Sequence, residues 1–562
     1  MTSISWRLRA ADWVRVVVLG GLLLATAGLV VYPVGTLLAQ SLQGPTGWTA
    51  AVYREFLHDP DLVRVLWNTV WVAGLTTCGS VAIGVGMAWA VARTDAPLRE
   101  TLRTLSALTL ASPSFLGALA WVLLLGPRAG TLNRLLVDWL GLEAAPFDIF
   151  SPWGIVFVLT LFSYPLVFFP VAAALEQLDA SLEDASRVLG GGSLRTTWEV
   201  TLPLVAPAIL SGGILVFVEA MVIFGPVAVL GAPVQFHTLP TKMLTLTRLP
   251  PRLDLAAAMT VPLVLTLAVL LLVQRAWLGR RRFTVTGGKA ERPRRVRLGA
   301  GRYGIAALGL GVIALAVFLP YGTLLAVSLQ RSLGRPLSPT NFAGLDNYRY
   351  LFDQSVVARA LWHSFWLSSA AVLAALALGT VGAWLVERAR SRAWGLLPLC
   401  LLAPLAFPGA ALGVALVLAF GGPPWRLAGS LTILFLAYVI RSLPVTFAYA
   451  RSALTQLHPE LEEASRTLGG TWLRAFRDVT VPLIRSGLFA AGVIQFVLCF
   501  RELGSSVFLY TGGNEVTAVV IYDFAQEAQF TLVAAFSVIV AAVNLGVVSV
   551  ARRWLAFDRW AA

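Results

Sequence analysis

The stretch Glu183-Asp184-Ala185-Ser186-Arg187-Val188-Leu189-Gly190, followed by a polar and basic middle and closed by Val200-Thr201-Leu202-Pro203, occurs twice in this chain. The second copy reads Glu462-Glu463-Ala464-Ser465-Arg466-Thr467-Leu468-Gly469, a similar middle, then Val479-Thr480-Val481-Pro482. Ala185 and Ala464, Gly190 and Gly469, Arg195 and Arg474, and Pro203 and Pro482 are all 279 positions apart, so the copies align without a gap. The register reaches upstream to Ser163 and Pro165 against Ser442 and Pro444. Each copy is a polar island between two long apolar runs. A polar segment kept twice between membrane spans points to contact with something in water.

On a helix Glu183 and Arg187 lie one turn apart with the acid first, the favourable order for a side-chain pair, and Glu462 and Arg466 repeat it. Ala185 with Ser186, and Ala464 with Ser465, leave a face flat enough for close packing against another surface. Gly190 and Gly469 are placed to end this helix in a left-handed cap, which glycine adopts without steric cost. A second short amphipathic helix is expected near 193–200 and 472–479. Pro203 and Pro482 suit the first turn of the following span, where a missing N–H costs nothing. The reading is a compact knob: helix, sharp turn, helix, re-entry.

Of the 562 residues, 57% are hydrophobic and 13% charged. That composition excludes a soluble globular chain, and about a dozen apolar runs of roughly 20 residues each mark a polytopic membrane protein. The runs fall near 16–38, 64–92, 104–126, 152–175, 204–231 and 255–275, then near 304–327, 361–387, 395–418, 429–450, 483–510 and 530–551. Pro398, Pro404 and Pro408 predict a broken or kinked ninth span. Arg7, Arg9 and Arg15 precede the first run, which is read as a retained span and not a signal peptide. The positive-inside rule then puts both termini and both copies of the motif in the cytoplasm, with Arg93, Arg99, Arg388, Arg390, Arg451 and Arg474 on that side. Acids such as Glu55, Asp59, Glu143, Asp148 and Glu527 mark the other side. The net charge of +14 is accounted for by loops facing anionic lipid headgroups, so membrane lipid and no nucleic acid is the expected partner.

The repeat extends beyond the motif. Pro33, Gly35 and Thr36 match Pro320, Gly322 and Thr323, while Trp67, Gly84, Trp89, Arg93 and Pro113 match Trp362, Gly379, Trp384, Arg388 and Pro408 at an offset of 295. The change to 279 places 16 additional residues of the first half between spans 3 and 4. The expected fold is an all-α polytopic membrane protein of about 12 transmembrane helices in two parallel six-helix repeats, related by a pseudo-two-fold axis along the membrane normal. The halves are assigned to residues 1–278 and 304–562, joined by a basic cytoplasmic linker at 279–303 that includes Arg280, Arg281, Arg282, Arg292, Arg294 and Arg295.

Charges inside membrane spans are candidates for function, because lipid-facing charge is costly. Glu219 lies in span 5, and Arg501 and Glu502 lie in the matching span 11. All three are expected to line a translocation pathway between the halves, with Glu219 and Arg501 as a pair across it and Glu502 as the free carboxylate that a cation meets. His58 beside Asp59 and Asp61 is read as a solvated loop and not a metal site. Cys78, Cys400 and Cys499 lie in apolar runs without metal-type spacing. No catalytic, cofactor or metal site is expected, and no G-x-x-x-x-G-K-[ST] stretch is present.

The two motif copies resemble the EAA loops of permease subunits of ATP-binding-cassette importers, through Asp184-Ala185-Ser186 to Gly190 to Thr201-Leu202-Pro203 and Glu463-Ala464-Ser465 to Gly469 to Thr480-Val481-Pro482. Val481 in place of leucine is a mild departure. The resemblance implies a permease of two fused domains, each of the type I importer kind, in a bacterial inner membrane. It implies a cytoplasmic ATPase dimer docked on the loops, with ATP and Mg held there, and an extracytoplasmic binding protein that delivers cargo. It also implies that the chain is not itself an enzyme. The stretches Ala118 to Pro127, Phe217 to Pro233, Arg501-Glu502-Leu503 and Thr511-Gly512-Gly513 resemble the fused permeases of ferric-iron importers. Thiamine, aminoethylphosphonate and polyamine permeases share the architecture and stand as alternatives. An ion-coupled secondary transporter is the rival from another class, although it needs no pair of docking loops.

Overall fold

Apolar runs of this length leave the peptide groups no water to bond, so each folds as a helix that satisfies itself. The computed structural model describes residues 20–22, 24–44, 47–178, 180–248, 250–280, 296–335, 338–388 and 396–561. Among these residues ten helices are long and apolar enough to cross a membrane, and two bent pairs bring the count to 12. In the first half, spans 1 and 2 are Gly20–Ser41 and Pro60–Arg93, and span 3 is the pair Arg99–Ala111 and Ser114–Leu125. Spans 4, 5 and 6 are Pro152–Glu176, Thr197–Val222 and Leu253–Arg280. In the second half, spans 7 and 8 are Gly301–Ser328 and Ser355–Arg388, and span 9 is the pair Leu397–Leu405 and Gly409–Phe420. Spans 10, 11 and 12 are Leu431–Thr455, Trp472–Phe500 and Phe530–Trp554.

Proline decides where these helices deviate. Pro33, Pro203, Pro320 and Pro482 each follow a π-helical turn, at Ala27–Val31, Thr197–Thr201, Ala314–Phe318 and Phe476–Thr480. A proline cannot donate to the carbonyl one turn back, and a widened turn absorbs the missing donor without ending the helix. Pro113 and Pro408 act differently. Span 3 bends by 98° between its two segments and span 9 by 116°. The break in span 9 was expected from its prolines. The break in span 3 was not, although Pro113 and Pro408 hold equivalent places in the repeat. Spans 5 and 11 stop at Val222 and Phe500, short of the expected 231 and 510. Short helices Gly225–Gly231 and Ser506–Leu509 follow them.

The halves exchange their first spans. The later part of span 1 packs on Gly409–Phe420 of span 9, with Tyr32 donating to the Ala419 carbonyl at 3.4 Å, and span 7 packs likewise on Ser114–Leu125 of span 3. Of the expected linker, residues 281–295 lie outside the described residues. Its far end is bound to the first half: Val296 N donates to the Arg93 carbonyl at 2.8 Å, and Leu298 N to Asp95 at 3.0 Å.

Within each half one close helix crossing uses an equivalent glycine. A Cβ on Gly84 of span 2 would lie 2.7 Å from Val167 Cβ and 2.9 Å from the Tyr164 carbonyl of span 4. A Cβ on Gly379 of span 8 would lie 2.9 Å from the Phe447 backbone N of span 10. Small residues let membrane helices approach this closely. Gly379→Leu is therefore expected to lower the thermal midpoint of the detergent-solubilised protein, at an overpacking cost of about 1–3 kcal/mol or more. Gly86→Leu, where an added Cβ meets nothing within 4 Å, should leave it near wild type.

Candidate functional site

The first motif folds as a helix, Ala180–Val188, and the second as Glu460–Thr467. Gly190 and Gly469 follow with φ of +85° and +87°, the left-handed conformation assigned to them. The next residue is also constrained: a Cβ on Gly191 would lie 2.8 Å from the Ser186 carbonyl, and one on Gly470 would lie 2.7 Å from the Ser465 carbonyl. Gly191 N and Gly470 N donate to those carbonyls, closing the turn. The sequence reading singled out only the first glycine of each pair. Beyond the turn, the short helices Ser193–Thr196 and Trp472–Ala475 run through the π turns into spans 5 and 11 without a second corner. The expected re-entry at Pro203 and Pro482 is thus a continuous helix, because the widened turn accommodates each proline.

Both leading acids pair beyond their own helix. Glu183 is buried and ion-paired with buried Arg93 at the end of span 2, and it accepts a hydrogen bond of 2.8 Å from Thr201. Glu462 pairs with Arg388 at 3.3 Å and accepts from Thr480 at 2.7 Å and from Trp384 Nε1 at 3.2 Å. The side chain of Arg187 lies outside the described residues. A buried carboxylate needs a partner that is also withdrawn from water, and an exposed arginine on the same helix does not supply one. Each loop is therefore fastened to the adjoining ends of two spans at once. The sequence signal was available, since Arg93 and Arg388 are equivalent in the repeat.

Outside these clamps the loops stay open. Ala185, Ala464 and Glu463 are exposed, while Asp184, Ser186 and Ser465 are half-buried. Ser186 Oγ lies 3.0 Å from Thr196 Oγ1, tying the two helices of the first loop together. The side chains Leu189 and Leu468, equivalent in the repeat, are 86% and 90% exposed. Sequence reasoning missed them. Beside Leu189 and Ala185 lies a surface hollow of about 580 Å³, also lined by Leu182, Arg195 and Pro203.

The second feature is a cavity of about 340 Å³ between the halves. The four helix breaks meet there: Pro113 to Phe115 of span 3, Val222 to Pro226 after span 5, Leu405 and Gly409 of span 9, and Arg501 to Gly504 after span 11. Glu219, Arg501 and Glu502 all line it, joined by Arg441 of span 10. Their pairing differs from expectation. Glu502 is not free: its Oε2 lies 3.2 Å from Arg441 Nε, and its Oε1 accepts from Ser505 N at 3.0 Å and Ser505 Oγ at 3.2 Å. Glu219 accepts from Ser163 Oγ at 3.3 Å. Arg501, instead of pairing with Glu219, donates 3.0 Å across the halves to the Ala111 carbonyl. That carbonyl closes the first segment of span 3, where a helix end concentrates partial negative charge. At offset 279 the positions of Arg441, Arg501 and Glu502 are Phe162, Val222 and Ile223 in the first half. The charges therefore break the symmetry of the frame. His58, between spans 1 and 2, bonds the Arg54 carbonyl through Nδ1, and no metal-type group of His, Cys, Asp and Glu occurs among the described residues.

Comparison with known proteins places this geometry. The profile of the family described as binding-protein-dependent transport system inner membrane component matches residues 80–284 and again 375–556. The ferric transport system permease protein FbpB of Actinobacillus pleuropneumoniae is 28% identical over 530 residues, covering 92% of this chain and 75% of the relative. The probable ABC transporter permease protein y4fN of Sinorhizobium fredii is 28% identical over 514 residues, covering 89% of each. A putative 2-aminoethylphosphonate transport system permease protein, PhnU of Salmonella choleraesuis, is 32% identical over 221 residues, covering 39% of this chain and 76% of the relative.

The buried clamp has a measurable consequence. Arg93→Met strands Glu183 and is expected to destabilise the protein by about 3–5 kcal/mol. Arg93→Met combined with Glu183→Gln should recover much of that loss. Thermal unfolding and proteolysis at the first loop read both, and equal losses in the single and double variants would rule out the ion pair as the fastening.

Proposed function

Because this chain belongs to the family of binding-protein-dependent transport system inner membrane components, we propose that it is the permease of an ATP-driven importer whose two loops dock a separate cytoplasmic ATPase dimer. In this reading both loops, and the chain termini, face the cytoplasm of a bacterial cell, and a binding protein delivers cargo at the opposite face. ATP and Mg belong to the partner. The observation that carries the docking assignment is the pair Leu189 and Leu468: two apolar side chains, equivalent in the repeat, held in water on loops clamped by an ion pair that is buried in the first half and half-buried in the second. A rigid loop with an exposed apolar tip is built to fill a partner's groove. Glu183, Asp184, Ala185, Ser186, Gly190 and Pro203, with Glu462, Glu463, Ala464, Ser465, Gly469 and Pro482, make up the coupling element. Movement of the ATPase would reach spans 2 and 8 through Arg93 and Arg388, and spans 5 and 11 through their unbroken helices.

The proposed cargo is ferric iron. It rests on likeness to ferric permeases along most of the chain; the aminoethylphosphonate likeness covers less than half of it. Glu219, Arg501 and Glu502 are proposed to line the pathway. Two carboxylates and two guanidinium groups face the cavity, so it carries no net charge to trap a cation. It suits brief passage, with affinity left to the binding protein. Opening the pathway would require the Arg501 bond to Ala111 to break, since it joins the two halves.

Two experiments test this. Leu189→Asp combined with Leu468→Asp is expected to abolish co-purification of the ATPase while leaving membrane insertion and thermal stability unchanged; retained ATPase would sink the docking assignment. For the pathway, ferric uptake is measured in vesicles supplied with ATPase and binding protein. Glu502→Gln should impair uptake because it strands Arg441, and Arg441→Gln with Glu502→Gln should restore much of it. Equal impairment in both variants would mean that Glu502 meets the cargo directly.

A further inference from the structure

The cavity between the halves contains one polar side chain that neither the helix breaks nor the ion pairs engage. Gln495 of span 11 lines it, is 3% exposed, and makes no hydrogen bond among the described residues. A primary amide withdrawn from bulk water without a partner is costly, and one kept in that state points to something that enters the cavity and bonds it. The first half has Val216 at the equivalent place, 279 positions earlier, so the repeated frame does not require an amide there. Gln495 and Cys499 both line the cavity, and residues four apart share one face of a helix. Ser442 Oγ lies 3.3 Å from Cys499 Sγ, and the residue before Ser442 is Arg441, also on the cavity. Arg441 and Gln495 therefore stand about one turn apart along the wall formed by spans 10 and 11, roughly 6 Å of helix axis.

The polar groups of that wall left without a partner are mostly donors. Both oxygens of Glu502 are engaged, one by Arg441 Nε and the other by Ser505. Arg441 meets that carboxylate through Nε, and its two terminal amino groups donate no hydrogen bond among the described residues. The Gln495 amide adds two further N–H donors beside its one carbonyl acceptor. In the first half Glu219 accepts from Ser163 through one oxygen only, a single carboxylate opposite this set. An oxyanion uses donors of both kinds, and a guanidinium held along one edge presents its other N–H groups to a phosphate or carboxylate. A bare cation finds no such set, since no group of His, Cys, Asp and Glu suited to a metal occurs among the described residues.

We propose that Gln495 and Arg441 form a binding site for an oxyanion, a carboxylate or a phosphate, on the second-half wall of the cavity. This rests on the reading of the cavity as an importer's pathway, and it names the chemistry by which cargo is met there: the oxygens of an anion, either free or carried as ligands on a metal ion. The cavity, at about 340 Å³, is large enough for a small anion of either kind.

Binding is measured on the full chain alone in phosphatidylcholine nanodiscs, with labelled inorganic phosphate, citrate and ferric citrate as probes. Wild type is expected to bind at least one of them. Gln495→Glu replaces the amide donors with a carboxylate and should weaken that binding by on the order of tenfold or more. Gln495→Met, which removes the amide at similar length, should weaken it severalfold at an unchanged thermal midpoint, because the amide has no protein partner to lose. Binding of phosphate or citrate without iron would assign the site to a free anion, and binding of ferric citrate alone to an anion carried on the metal; both support the donor site. No binding of any probe by wild type, or undiminished binding in Gln495→Glu, would overturn it. Uptake in vesicles supplied with ATPase and binding protein separates this from the importer reading. Gln495→Glu should slow uptake more than Gln495→Met does, and faster uptake in Gln495→Glu would show that a cation meets this wall and would overturn the site. Wild type that binds the anion but shows no ATP-driven uptake would instead sink the importer reading and leave the site standing.

Discussion

Backbone that leaves the helix inside a membrane has to find hydrogen-bond partners there, and this chain leaves it at four places near mid-membrane. Such breaks survive only where protein or a water-filled cavity receives the freed peptide groups. All four converge on one cavity between the halves, and the side chains around it do the receiving. Arg501 takes the last carbonyl of the first segment of span 3, and Glu502 takes the amide of Ser505 beyond the end of span 11. The charges in the cavity are thus part of what allows the helices to be broken. Their place on the cavity and their place in the fold have one physical origin.

Against that centre the periphery is symmetric. The clamps at Glu183 and Glu462, the left-handed glycines, the π turns before proline and the close crossings at Gly84 and Gly379 occur in both halves. These parts meet the same mechanical demand twice. The cavity occurs once, between the halves, so nothing requires its two sides to match. Arg441, Arg501 and Glu502 face it from the second half and Glu219 from the first. Fusing two domains in one chain permits this, because each half can change without the other.

Much of the frame was legible because it rests on rules with few exceptions. Long apolar runs must be helices, and a residue held at positive φ between a helix and its turn is best supplied by glycine, so the spans and Gly190 and Gly469 could be located from sequence. The pairing of Glu183 could not, because a rule for neighbours on an exposed helix was applied to a side chain that is buried and reaches a distant arginine. Placing Glu219, Arg501 and Glu502 on a cavity needed only the cost of lipid-facing charge. The same rule would have flagged Arg441, which sits inside the apolar run of span 10. The ends of spans 5 and 11 were hidden because the short helices after the breaks, such as Gly225–Gly231, are themselves apolar and continue the hydropathy signal.

A contiguous packed route joins loop and cavity in each half, and its parts are ones the repeat keeps. In the first half, Arg93 holds Glu183 at the C-terminal end of span 2, and Gly84 of the same helix presses on Tyr164 and Val167 of span 4. The residue before Tyr164 is Ser163, which donates to Glu219 in the cavity. In the second half, Arg388 holds Glu462, and Gly379 presses on Thr446 and Phe447 of span 10. About one turn away on that helix, Ser442 lies against Cys499 and Arg441 binds Glu502. Close-packed helices with no side chain between them move together, because a gap at either glycine would forfeit contact along the crossing. These contacts put each loop and the polar groups at the cavity's edge into one packed array. The equivalent serines, Ser163 and Ser442, stand where that span touches span 5 or span 11, which is also the helix running unbroken from the loop itself.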